Sequence, residues 1–586
     1  MCGIVGGVFK PGAIPSVKRI ESALDTLTHR GPDDRGYFFE QCCVLGNTRL
    51  SIQDVADGHQ PFYSDDGDVV VIQNGEIFNH IELREDLLST GIRCTTRCDT
   101  EVILKLYERE GLGFLDKLNG MFAIAIYDRR KESVFLIRDR IGVKPLFISQ
   151  CSSGVVFGSE IKALIRLSAM SIQLDQQALS HYLSLNYVPP PLTLFQGVSH
   201  VMPGTVTCIQ LGEITSYRWW QLPKGSPNLD GSTDAWRDEC LSILDDATRL
   251  RLRSDAPIGA FLSGGLDSST IVGLAARSYD STLPVFSIGF DDPRFDESRF
   301  AQEAADRFGM LMKSKVVAPD LLDDWSKATY FCDQPHGDVS FLPTWEVAKL
   351  ASNDVKVVLT GDGGDELFAG YMKYLRFFEK WSVESPTQEQ WFSAYWPTLT
   401  LFSEREKSSL LLNWSQDEVQ TFDFVHDLVK PFKAHDLINQ ALIIDTLLLL
   451  PGNNLVKPDR MGMAASVEAR TPFLDFRMVE FAFKTRGIDK LSENQTKKCL
   501  KATVRDLIGD DLTDRKKQMF TVPVGEWFKK ERYEYVHYHL SNLDDLGLLD
   551  MPRVFELLQQ HVSNSVNRTR ELRALVALSH WKDCFL

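Results

Sequence analysis

The residue best placed for nucleophilic chemistry is the second of the chain. Cys2 follows Met1 directly, and a side chain this small allows an aminopeptidase to remove the initiator methionine. Removal would leave a thiol and a free α-amine on one residue. Because an α-amine has a pKa of about 8, part of it is unprotonated near neutral pH and can act as the base for its own thiol. Cys2 is therefore predicted to be a nucleophile that carries its own base.

Four short motifs follow Cys2 early in the chain. They are His-Arg-Gly-Pro-Asp at residues 29–33, Arg-Leu-Ser-Ile at 49–52, Gln-Asn-Gly-Glu-Ile-Phe-Asn at 73–79 and Asp-Thr-Glu at 99–101. With Cys2 they resemble the class II glutamine amidotransferases, a branch of the N-terminal-nucleophile hydrolases, over residues 2 to about 200. The resemblance implies that Cys2 hydrolyses glutamine through a thioester.

The resemblance assigns the oxyanion donors to residues 74 and 75. Thioester chemistry needs hydrogen-bond donors for the developing negative charge. The family uses an asparagine side chain and a glycine backbone amide, which fall here on Asn74 and Gly75. Taken alone, Asn-Gly is also a favoured sequence for a two-residue type I′ hairpin turn. The surrounding motifs favour the catalytic interpretation over the turn.

Free glutamine carries a carboxylate and an ammonium group, and the motifs supply charges for both. A guanidinium suits the carboxylate, which indicates Arg49, and carboxylates suit the ammonium, which indicates Glu76 and Asp99. Cys98 stands where the family usually has serine, at the border of this site. The resemblance implies a glutamine site made of Arg49, Ile52, Asn74, Gly75, Glu76 and Asp99.

A second group of residues has the form of a phosphate-binding loop. Residues 261–269, Phe-Leu-Ser-Gly-Gly-Leu-Asp-Ser-Ser, follow an apolar strand and open a helix. The glycines let backbone amides approach an anion, the hydroxyls add donors, and the helix N-terminus adds a positive partial charge. The run Ser-Gly-Gly-x-Asp-Ser resembles the pyrophosphate loop of the ATP-pyrophosphatase family, which cleaves ATP to AMP and pyrophosphate.

A third group places carboxylates just past the end of another predicted strand. Residues 355–359 are apolar except for Lys356, and Asp362, Asp365 and Glu366 follow them. Because parallel sheets bind ligands at the carboxyl ends of their strands, these acids are expected near the phosphate loop. Asp267 and Asp365 are therefore expected to share Mg²⁺, which would neutralise the departing pyrophosphate.

The resemblance to one family extends over essentially the whole chain. Further motifs similar to those of the glutamine-hydrolysing asparagine synthetases are found at residues 160–164, 187–189, 455–460, 468–475 and 520–523. The family's catalytic lysine, which stabilises the charge of the adenylation and ammonia-attack transition states, falls here on Lys497, with Lys498 as the alternative register. The resemblance implies an ATP site made of Leu262, Ser263, Gly264, Gly265, Asp267, Ser268, Ile288, Gly361 and Asp362, with Leu262, Ile288 and Gly361 against the adenosine.

Three residues depart from the family pattern near its acceptor pocket. Asp362 stands where many members have glutamate, Gln334 replaces a glutamate before a proline, and Met519 replaces a glycine before a phenylalanine. The resemblance favours aspartate as the acceptor, and these three departures leave another carboxylate as the alternative.

The elements expected to hold the first group of residues have the pattern of packed sheets. Short apolar or alternating runs between turn residues predict strands at residues 4–9, 69–72, 123–127, 134–138 and 155–158. A helix is predicted at 100–110. With the resemblance above, this predicts an α+β N-terminal-nucleophile hydrolase domain over residues 2–210, with stacked antiparallel sheets between helices.

A polar stretch at residues 222–234 is expected to be a linker, and the pattern changes after it. Apolar runs at 258–262, 285–290 and 355–359 alternate with helical segments, which is typical of a parallel sheet wound with helices. Helical periodicity dominates from about residue 377. We therefore expect a second domain over residues 236–586, an α/β ATP-pyrophosphatase domain with a parallel sheet and a helical C-terminal part.

Composition restricts the partners of the chain. Of its 586 residues, 44% are apolar and 25% are charged, and 64 Lys and Arg against 80 Asp and Glu give a net charge of −16. So acidic a chain is not expected to bind nucleic acid or an anionic membrane. Its eleven scattered cysteines do not indicate a disulfide framework, and Cys94 and Cys98 lack the second ligand pair of a zinc site. Because no charged segment precedes the first apolar run, we expect a cytoplasmic protein with small-molecule partners.

The sequence thus predicts a glutamine-dependent amidotransferase that uses ATP and Mg²⁺ and forms an amide, glutamate, AMP and pyrophosphate. The favoured reaction converts aspartate to asparagine. One alternative is the same machinery acting on a sugar uronic acid in surface-polysaccharide synthesis or on a peptide carboxylate. A second is a stand-alone glutaminase, or a binding protein, with a vestigial synthetase, and the intact phosphate loop and Asp365 argue against it. A homodimer is one arrangement that the sequence leaves open.

Overall fold

The computed structural model describes residues 2–40, 42–279, 282–381, 383, 385–412, 419–515 and 522–586. Met1, whose removal is expected, and Met519, which departs from the family pattern, lie outside these ranges. Among the described residues, no helix is both long enough and apolar enough to cross a membrane.

The described residues contain strands in both halves of the chain. They are β1 (Cys2–Phe9), β2 (Asp34–Phe39), β3 (Cys43–Arg49), β4 (Phe62–Tyr63), β5 (Val69–Ile77), β6 (Gly120–Asp128), β7 (Ser133–Arg138), β8 (Phe147–Cys151), β9 (Gly154–Gly158), β10 (Val198–His200), β11 (Thr205–Gln210), β12 (Glu213–Arg218), β13 (Ile258–Phe261), β14 (Pro284–Phe290), β15 (Leu311–Val317), β16 (Val357–Leu359) and β17 (Glu468–Arg470).

The α-helices lie mostly in the second half of the chain. They are α1 (Val17–Asp25), α2 (His80–Ser89), α3 (Asp99–Glu110), α4 (Ile161–Ser168), α5 (Gln176–Leu185), α6 (Asp234–Arg251), α7 (Leu266–Ser278), α8 (Ser298–Phe308), α9 (Trp325–Cys332), α10 (Phe341–Ala351), α11 (Gly364–Phe368), α12 (Met372–Phe378), α13 (Gln388–Tyr395), α14 (Glu404–Leu410), α15 (Thr421–Val429), α16 (Leu437–Ile444), α17 (Gly462–Ala464), α18 (Phe476–Lys484), α19 (Gly487–Lys490), α20 (Lys498–Ile508), α21 (Asp510–Thr513), α22 (Val524–Lys529), α23 (Tyr533–Asn542), α24 (Met551–Val562) and α25 (Thr569–Phe585).

The N-terminal strands form two antiparallel sheets, in the orders β10-β8-β9-β1-β3-β2 and β12-β11-β7-β6-β5-β4. Successive residues of a strand face opposite sides of its sheet. In β1, Ile4 packs toward the second sheet, whereas Val5 packs on α1 and α4. In β5, Ile72 packs toward the first sheet, whereas Val71 packs on α2 and α3. Helices therefore cover both outer faces, which confirms the predicted stack of antiparallel sheets between helices.

The C-terminal half contains a parallel sheet in the order β15-β14-β13-β16-β17. Strands β13 and β16 are neighbours, with Ile258 opposite Val357. The segments that follow these two strands therefore start side by side. Helices dominate from α12 onward, and the described residues there add only the short strand β17. The predicted parallel sheet with a helical C-terminal part is confirmed.

The two halves meet through buried charges. Arg30 donates to Glu160 and to Asp459, both at 3.0 Å, and its side chain is fully buried. Lys144 lies 3.4 Å from Asp459, and Arg460 lies 2.8 Å from Glu160. Since Asp459 and Arg460 follow the linker and the other three residues precede it, these ion pairs hold the halves together.

Candidate active sites

Cys2 lies at the start of β1, close to both sheets of the N-terminal half. It pairs with Arg49 of β3, and its backbone N–H donates to Asn74 Oδ1 of β5 at 3.2 Å. Only 5% of its surface is exposed. Burial raises the pKa of the Cys2 thiol, because a thiolate would lose its hydration there. The thiol therefore needs a base, and the nitrogen held by Asn74 is the atom that becomes a free amine once Met1 is removed.

Asn74 and Gly75 lie inside β5, paired with β6, and do not form a hairpin turn. The turn interpretation of this dipeptide is therefore wrong. Gly75 has a φ of 151°, and a Cβ atom there would meet the carbonyl oxygen of Met121 at 2.1 Å, so only glycine fits. The Asn74 side-chain nitrogen donates to Ser159 Oγ at 3.3 Å. This contact uses one of the two N–H groups of the amide.

Arg49 is buried beside this region, and part of its guanidinium holds a loop. Its Nη2 atom donates to the backbone carbonyls of Gln53 at 2.9 Å and Asp54 at 2.8 Å. Ile52, at the start of the same loop, is buried as well. An arginine has five N–H donors. A ligand carboxylate would therefore have to bind the donors of Arg49 that the loop does not use.

Glu76 and Asp99 are both buried, but their hydrogen-bond partners differ. Asp99 Oδ2 accepts from Gln73 Nε2 at 3.0 Å and from the Ile77 N–H at 2.9 Å. Glu76 Oε2 lies 3.4 Å from Arg470 Nη2, and Glu76 Oε1 has no hydrogen-bond partner among the described residues. Burial, reinforced by Asp99, raises the pKa of the Glu76 carboxyl. A buried acceptor without a partner is costly, and a ligand ammonium would satisfy it.

The structure adds one residue that the sequence analysis missed. Gln60 Nε2 lies 3.9 Å from the Cys2 sulfur and donates to Thr100 Oγ1 at 3.3 Å. Gln60 Oε1 accepts from the Gln73 backbone N–H at 2.7 Å. These bonds fix the Gln60 amide next to the nucleophile. A lone glutamine before a proline carries no sequence signal, and only the fold brings it to Cys2.

The second candidate site forms where β13 ends and α7 begins. Gly264 has a φ of 69°, and a Cβ atom there would meet the carbonyl carbon of Phe300 at 2.4 Å. The Oγ atoms of Ser263 and Ser268 lie 3.1 Å apart, and the Gly265 N–H donates to Ser263 Oγ at 3.3 Å. Hydroxyls, backbone amides and a helix N-terminus thus lie together, as a phosphate site requires.

The three residues predicted to contact the adenosine lie on, or just after, adjacent strands of the parallel sheet. Leu262 follows β13 and Ile288 belongs to β14, and both are buried. Gly361 follows β16, and a Cβ atom there would meet the Ser268 nitrogen at 2.7 Å. Glycine therefore lets the segment after β16 approach the phosphate loop.

Lys497 connects the two predicted metal ligands. Its ammonium contacts Asp267 in a short hydrogen bond and lies 2.5 Å from Asp365 Oδ1. Burial disfavours the charge of Lys497, but attraction by the two aspartates outweighs it and raises the pKa of the ammonium. A Cβ atom at Gly370 would meet Asp365 Oδ1 at 1.9 Å, so a larger residue there would displace the Asp365 side chain. The neighbouring Lys498 instead begins helix α20.

Asp267 and Asp365 suit Mg²⁺ in both chemistry and position. Carboxylate oxygens are ligands that Mg²⁺ prefers. The two side chains converge on one cationic centre, the ammonium of Lys497. These residues therefore fit a magnesium site, whose ion would take over part of the charge balance that Lys497 provides here.

A partly buried polar cluster lies beside these acids. Glu366 Oε1 accepts from Tyr371 Oη and from Asn454 Nδ2, both at 2.5 Å. Burial, together with the adjacent aspartate, raises the pKa of Glu366 to about 7. Lys457 Nζ lies 2.9 Å from Asp338. The cluster thus offers carboxylates and an ammonium to a ligand.

Two of the three departures from the family pattern lie among the described residues. Asp362 Oδ2 accepts from Thr360 Oγ1 at 2.7 Å, and burial raises the pKa of Asp362. Gln334 Oε1 accepts from the Leu194 N–H at 3.0 Å. Gln334 therefore binds the backbone of the N-terminal half.

A narrow cavity lies between the two halves. Its volume of about 30 Å³ is enough for roughly two water molecules. It is lined from both sides of the linker, by residues that include Arg138, Val143, Phe147, His336, Gly452, Leu455, Asp459 and Arg460. Asp459 and Arg460 also belong to the buried ion pairs, so the cavity and the interface share side chains.

Two protein-family models match the chain. The glutamine amidotransferase domain matches residues 1–220, and asparagine synthase matches residues 239–583. The asparagine synthetase [glutamine-hydrolyzing] 1 of Bacillus subtilis is 31% identical, over 99% of this chain and 96% of the relative. A putative asparagine synthetase [glutamine-hydrolyzing] of Mycobacterium bovis is 30% identical, over 100% and 97%.

Similarity to solved structures is weaker. The glutamine phosphoribosylpyrophosphate amidotransferase of B. subtilis matches 53% of this chain and 65% of its own, with 16% identity and a TM-score of 0.29. A similarity this low supports no inference about function.

Proposed function

Since the chain belongs to the asparagine synthase family, we propose that it transfers the amide nitrogen of glutamine to aspartate and forms asparagine at the expense of ATP. The family matches support the coarser statement directly: the protein is a carbon–nitrogen ligase that takes its nitrogen from glutamine. The acceptor, the division into domains at residues 2–210 and 236–586, and the role of each residue are part of the proposal.

In the first domain, the Cys2 thiol attacks the carboxamide carbon of glutamine. After removal of Met1, the amine of Cys2 takes the thiol proton and later gives a proton to the departing ammonia. The Asn74 side chain and the Gly75 N–H stabilise the oxyanion. Glu76 accepts from the glutamine ammonium through Oε1, the atom without a partner among the described residues. Water then hydrolyses the thioester to glutamate.

In the second domain, the acceptor carboxylate attacks the α-phosphorus of ATP, and pyrophosphate leaves. Residues 263–268 hold the phosphates through backbone amides, hydroxyls and the N-terminus of α7. Asp267 and Asp365 would hold Mg²⁺, which would neutralise the charge of the pyrophosphate. Lys497 stabilises the negative charge at the phosphorus, and for this it exchanges one of its two carboxylate partners for phosphate oxygens.

Ammonia from the first domain attacks the acyl-adenylate, which releases the amide and AMP. The cavity between the halves supports an internal route for ammonia. At about 30 Å³, it has room for a molecule of the size of water, which is also the size of ammonia. Ammonia transferred in this way would not be lost to protonation in solution.

Two observations support aspartate as the acceptor. The relatives similar over nearly the full length carry the name asparagine synthetase. The partly buried cluster beside the strand ends contains the ammonium of Lys457 and the carboxyls of Asp338 and Glu366. Such a set can bind both the carboxylate and the ammonium of an amino acid.

The proposal depends most on one observation: Lys497 lies between Asp267 and Asp365, beside the phosphate loop. The same chain also carries Cys2.

The test supplies ammonium in place of glutamine. It measures AMP, pyrophosphate and amide formation with aspartate, glutamate, a uronic acid or a peptide carboxylate as the acceptor. We expect product formation that depends on aspartate. Formation with a uronic acid or a peptide, and none with aspartate, would overturn the acceptor but keep the ligase chemistry.

A further inference from the structure

Three side chains with metal-binding atoms meet between helices α23 and α25, in the C-terminal helical part. His539 lies on α23, and His580 and Asp583 lie one turn apart on α25. One ligand atom of each residue can be chosen so that all lie within 4.8 Å of one another. Both histidines are buried, and Asp583 is exposed. None of these residues belongs to either active site.

The hydrogen bonds of the two rings leave one nitrogen of each for this shared position. His580 Nε2 lies 2.6 Å from Tyr535 Oη, and His539 Nδ1 lies 3.2 Å from Ser579 Oγ. His580 Nδ1 is buried and has no hydrogen-bond partner among the described residues. A histidine that binds a metal usually donates its other N–H to an oxygen, which orients the ring. Both rings have this second contact.

The unpartnered nitrogen of His580 needs an explanation beyond packing. The rings of His539 and His580 are 4.0 Å apart between centroids, which packing alone could produce. However, His580 is 97% buried, since only 3% of its surface is exposed, and a buried polar atom without a partner is costly. A metal ion bound by this nitrogen would give it the partner that it lacks among the described residues.

We propose that His539, His580 and Asp583 bind one divalent transition-metal ion, with zinc as the expected ion and water completing the coordination. Imidazole nitrogens and carboxylate oxygens are zinc ligands, at about 2.0 to 2.2 Å. In tetrahedral coordination, two such ligands lie about 3.3 to 3.6 Å apart. Ligand atoms separated by the full 4.8 Å would therefore have to move about 1 Å closer, and the exposed Asp583 side chain can supply part of that movement.

The ion would add a link between two helices that already share hydrogen bonds. Asn542, at the end of α23, already donates to Asp583 Oδ1 at 2.5 Å. Trp581, next to His580 on α25, donates to the backbone carbonyl of Asp333 at 2.9 Å. Asp333 in turn accepts from Lys162 of the N-terminal half at 2.9 Å. Zinc at this position would therefore stabilise the helical layer that supports the interface between the halves.

The test first removes bound metal from the full-length chain with a chelator and then measures zinc binding by competition with a zinc indicator. A second titration uses Co²⁺, whose binding is followed by its absorption spectrum. We expect one site, with a cobalt spectrum that lacks the charge-transfer band of a thiolate ligand. Asp583→Asn and His539→Gln should each weaken zinc binding by at least about 10- to 100-fold, the loss seen when even outer-shell partners are removed. Asp583 is exposed, so its substitution should not prevent folding.

Two control variants remove the same chemical groups nearby. Asp544→Asn removes an exposed carboxylate close to the end of α23, and His537→Gln removes an exposed histidine from α23 itself. Both should bind zinc as the wild type does. The proposal is overturned if the wild type binds no zinc, if the cobalt spectrum is that of a thiolate site, or if Asp583→Asn and His539→Gln bind zinc with wild-type affinity.

Discussion

At the scale of the residue, the proposed glutaminase chemistry depends on how Cys2 loses its proton. Burial raises the pKa of the thiol, so a base has to act in the same buried place. The nitrogen of Cys2 is held 3.2 Å from Asn74 Oδ1. A free amine at this nitrogen would be oriented by the residue that also supplies the oxyanion donor. The account therefore requires a processed N-terminus.

Active protein is expected to have lost Met1, because a peptide nitrogen cannot act as a base. The intact mass of protein with full glutaminase activity should be smaller than that of the full sequence by one methionine. Full glutamine hydrolysis by protein that still carries Met1 would rule out the amine as the base.

Asn74→Ala should lower the turnover of glutamine by about 100- to 1000-fold, the usual loss for one oxyanion donor. The ammonium-dependent reaction should stay unchanged, because it does not use this site. The matched control is Asn79→Ala, in the same motif, whose amide donates to the Lys117 carbonyl instead. This control should affect both activities alike. A loss of less than about tenfold in Asn74→Ala would contradict the oxyanion role.

Glu366→Gln should raise the melting temperature of the protein more at high pH than at low pH. Glu366 has a pKa of about 7 in the fold against 4.5 in an unfolded chain, so the folded state holds a proton that the unfolded state releases. Stability from this group is therefore present below about pH 4.5 and is lost as the pH rises to about 7, by about 3 kcal/mol in total. The melting temperature of the variant minus that of the wild type should be larger at about pH 8 than at about pH 5. An equal difference at both pH values would contradict the raised pKa.

At the scale of the element, short local patterns predict the strands and helices well, because burial on both faces makes them apolar. The runs at 258–262 and 285–290 correspond to β13 (Ile258–Phe261) and β14 (Pro284–Phe290), and the helix predicted at 100–110 is α3 (Asp99–Glu110). Contacts between distant segments carry no such local pattern. A single sequence therefore does not predict that Gln60 lies beside Cys2 or that Arg470 lies beside Glu76. Nor does it predict that the histidines of α23 and α25 meet.

Gly361→Ala should disable the second site and spare the first. The added Cβ atom would lie 2.7 Å from the Ser268 nitrogen, so the segment after β16 and the phosphate loop would have to move apart. We expect ATP binding, measured by titration, to weaken at least about tenfold, since about 1.4 kcal/mol of strain is sufficient. Gly113→Ala is the control, because a Cβ atom at Gly113 meets nothing within 4 Å. Wild-type ATP affinity in Gly361→Ala would show that the close approach is not needed.

At the scale of the whole molecule, buried ion pairs and a cavity lie together where the two halves of the chain meet. Arg30, Lys144 and Glu160 of the first half face Asp459 and Arg460 of the second. Asp459 and Arg460 also line the cavity. Two of the five side chains that hold the halves together thus also lie beside the proposed ammonia route.

Asp459→Asn should both destabilise the protein and uncouple its two reactions. Removing one partner of a buried ion pair costs about 3–5 kcal/mol, and here Arg30 and Lys144 would both lose a carboxylate. More glutamate than amide should then form per turnover, because ammonia escapes at the loosened interface. The control Asp323→Asn breaks an exposed pair with Arg532 and should cost about 1 kcal/mol or less. Equal amounts of glutamate and amide from Asp459→Asn would contradict a role in ammonia transfer.

The central claim is that one chain carries two separate chemistries, glutamine hydrolysis at Cys2 and ATP-dependent activation at Asp267 and Lys497. The most direct measurement compares wild type, Cys2→Ala and Asp267→Asn in two assays: glutamate released from glutamine, and pyrophosphate released with ammonium, ATP, Mg²⁺ and aspartate. The account predicts that Cys2→Ala loses the first activity and keeps the second, and that Asp267→Asn keeps the first and loses the second. Loss of both activities in folded Cys2→Ala, or wild-type pyrophosphate release by Asp267→Asn, would contradict it.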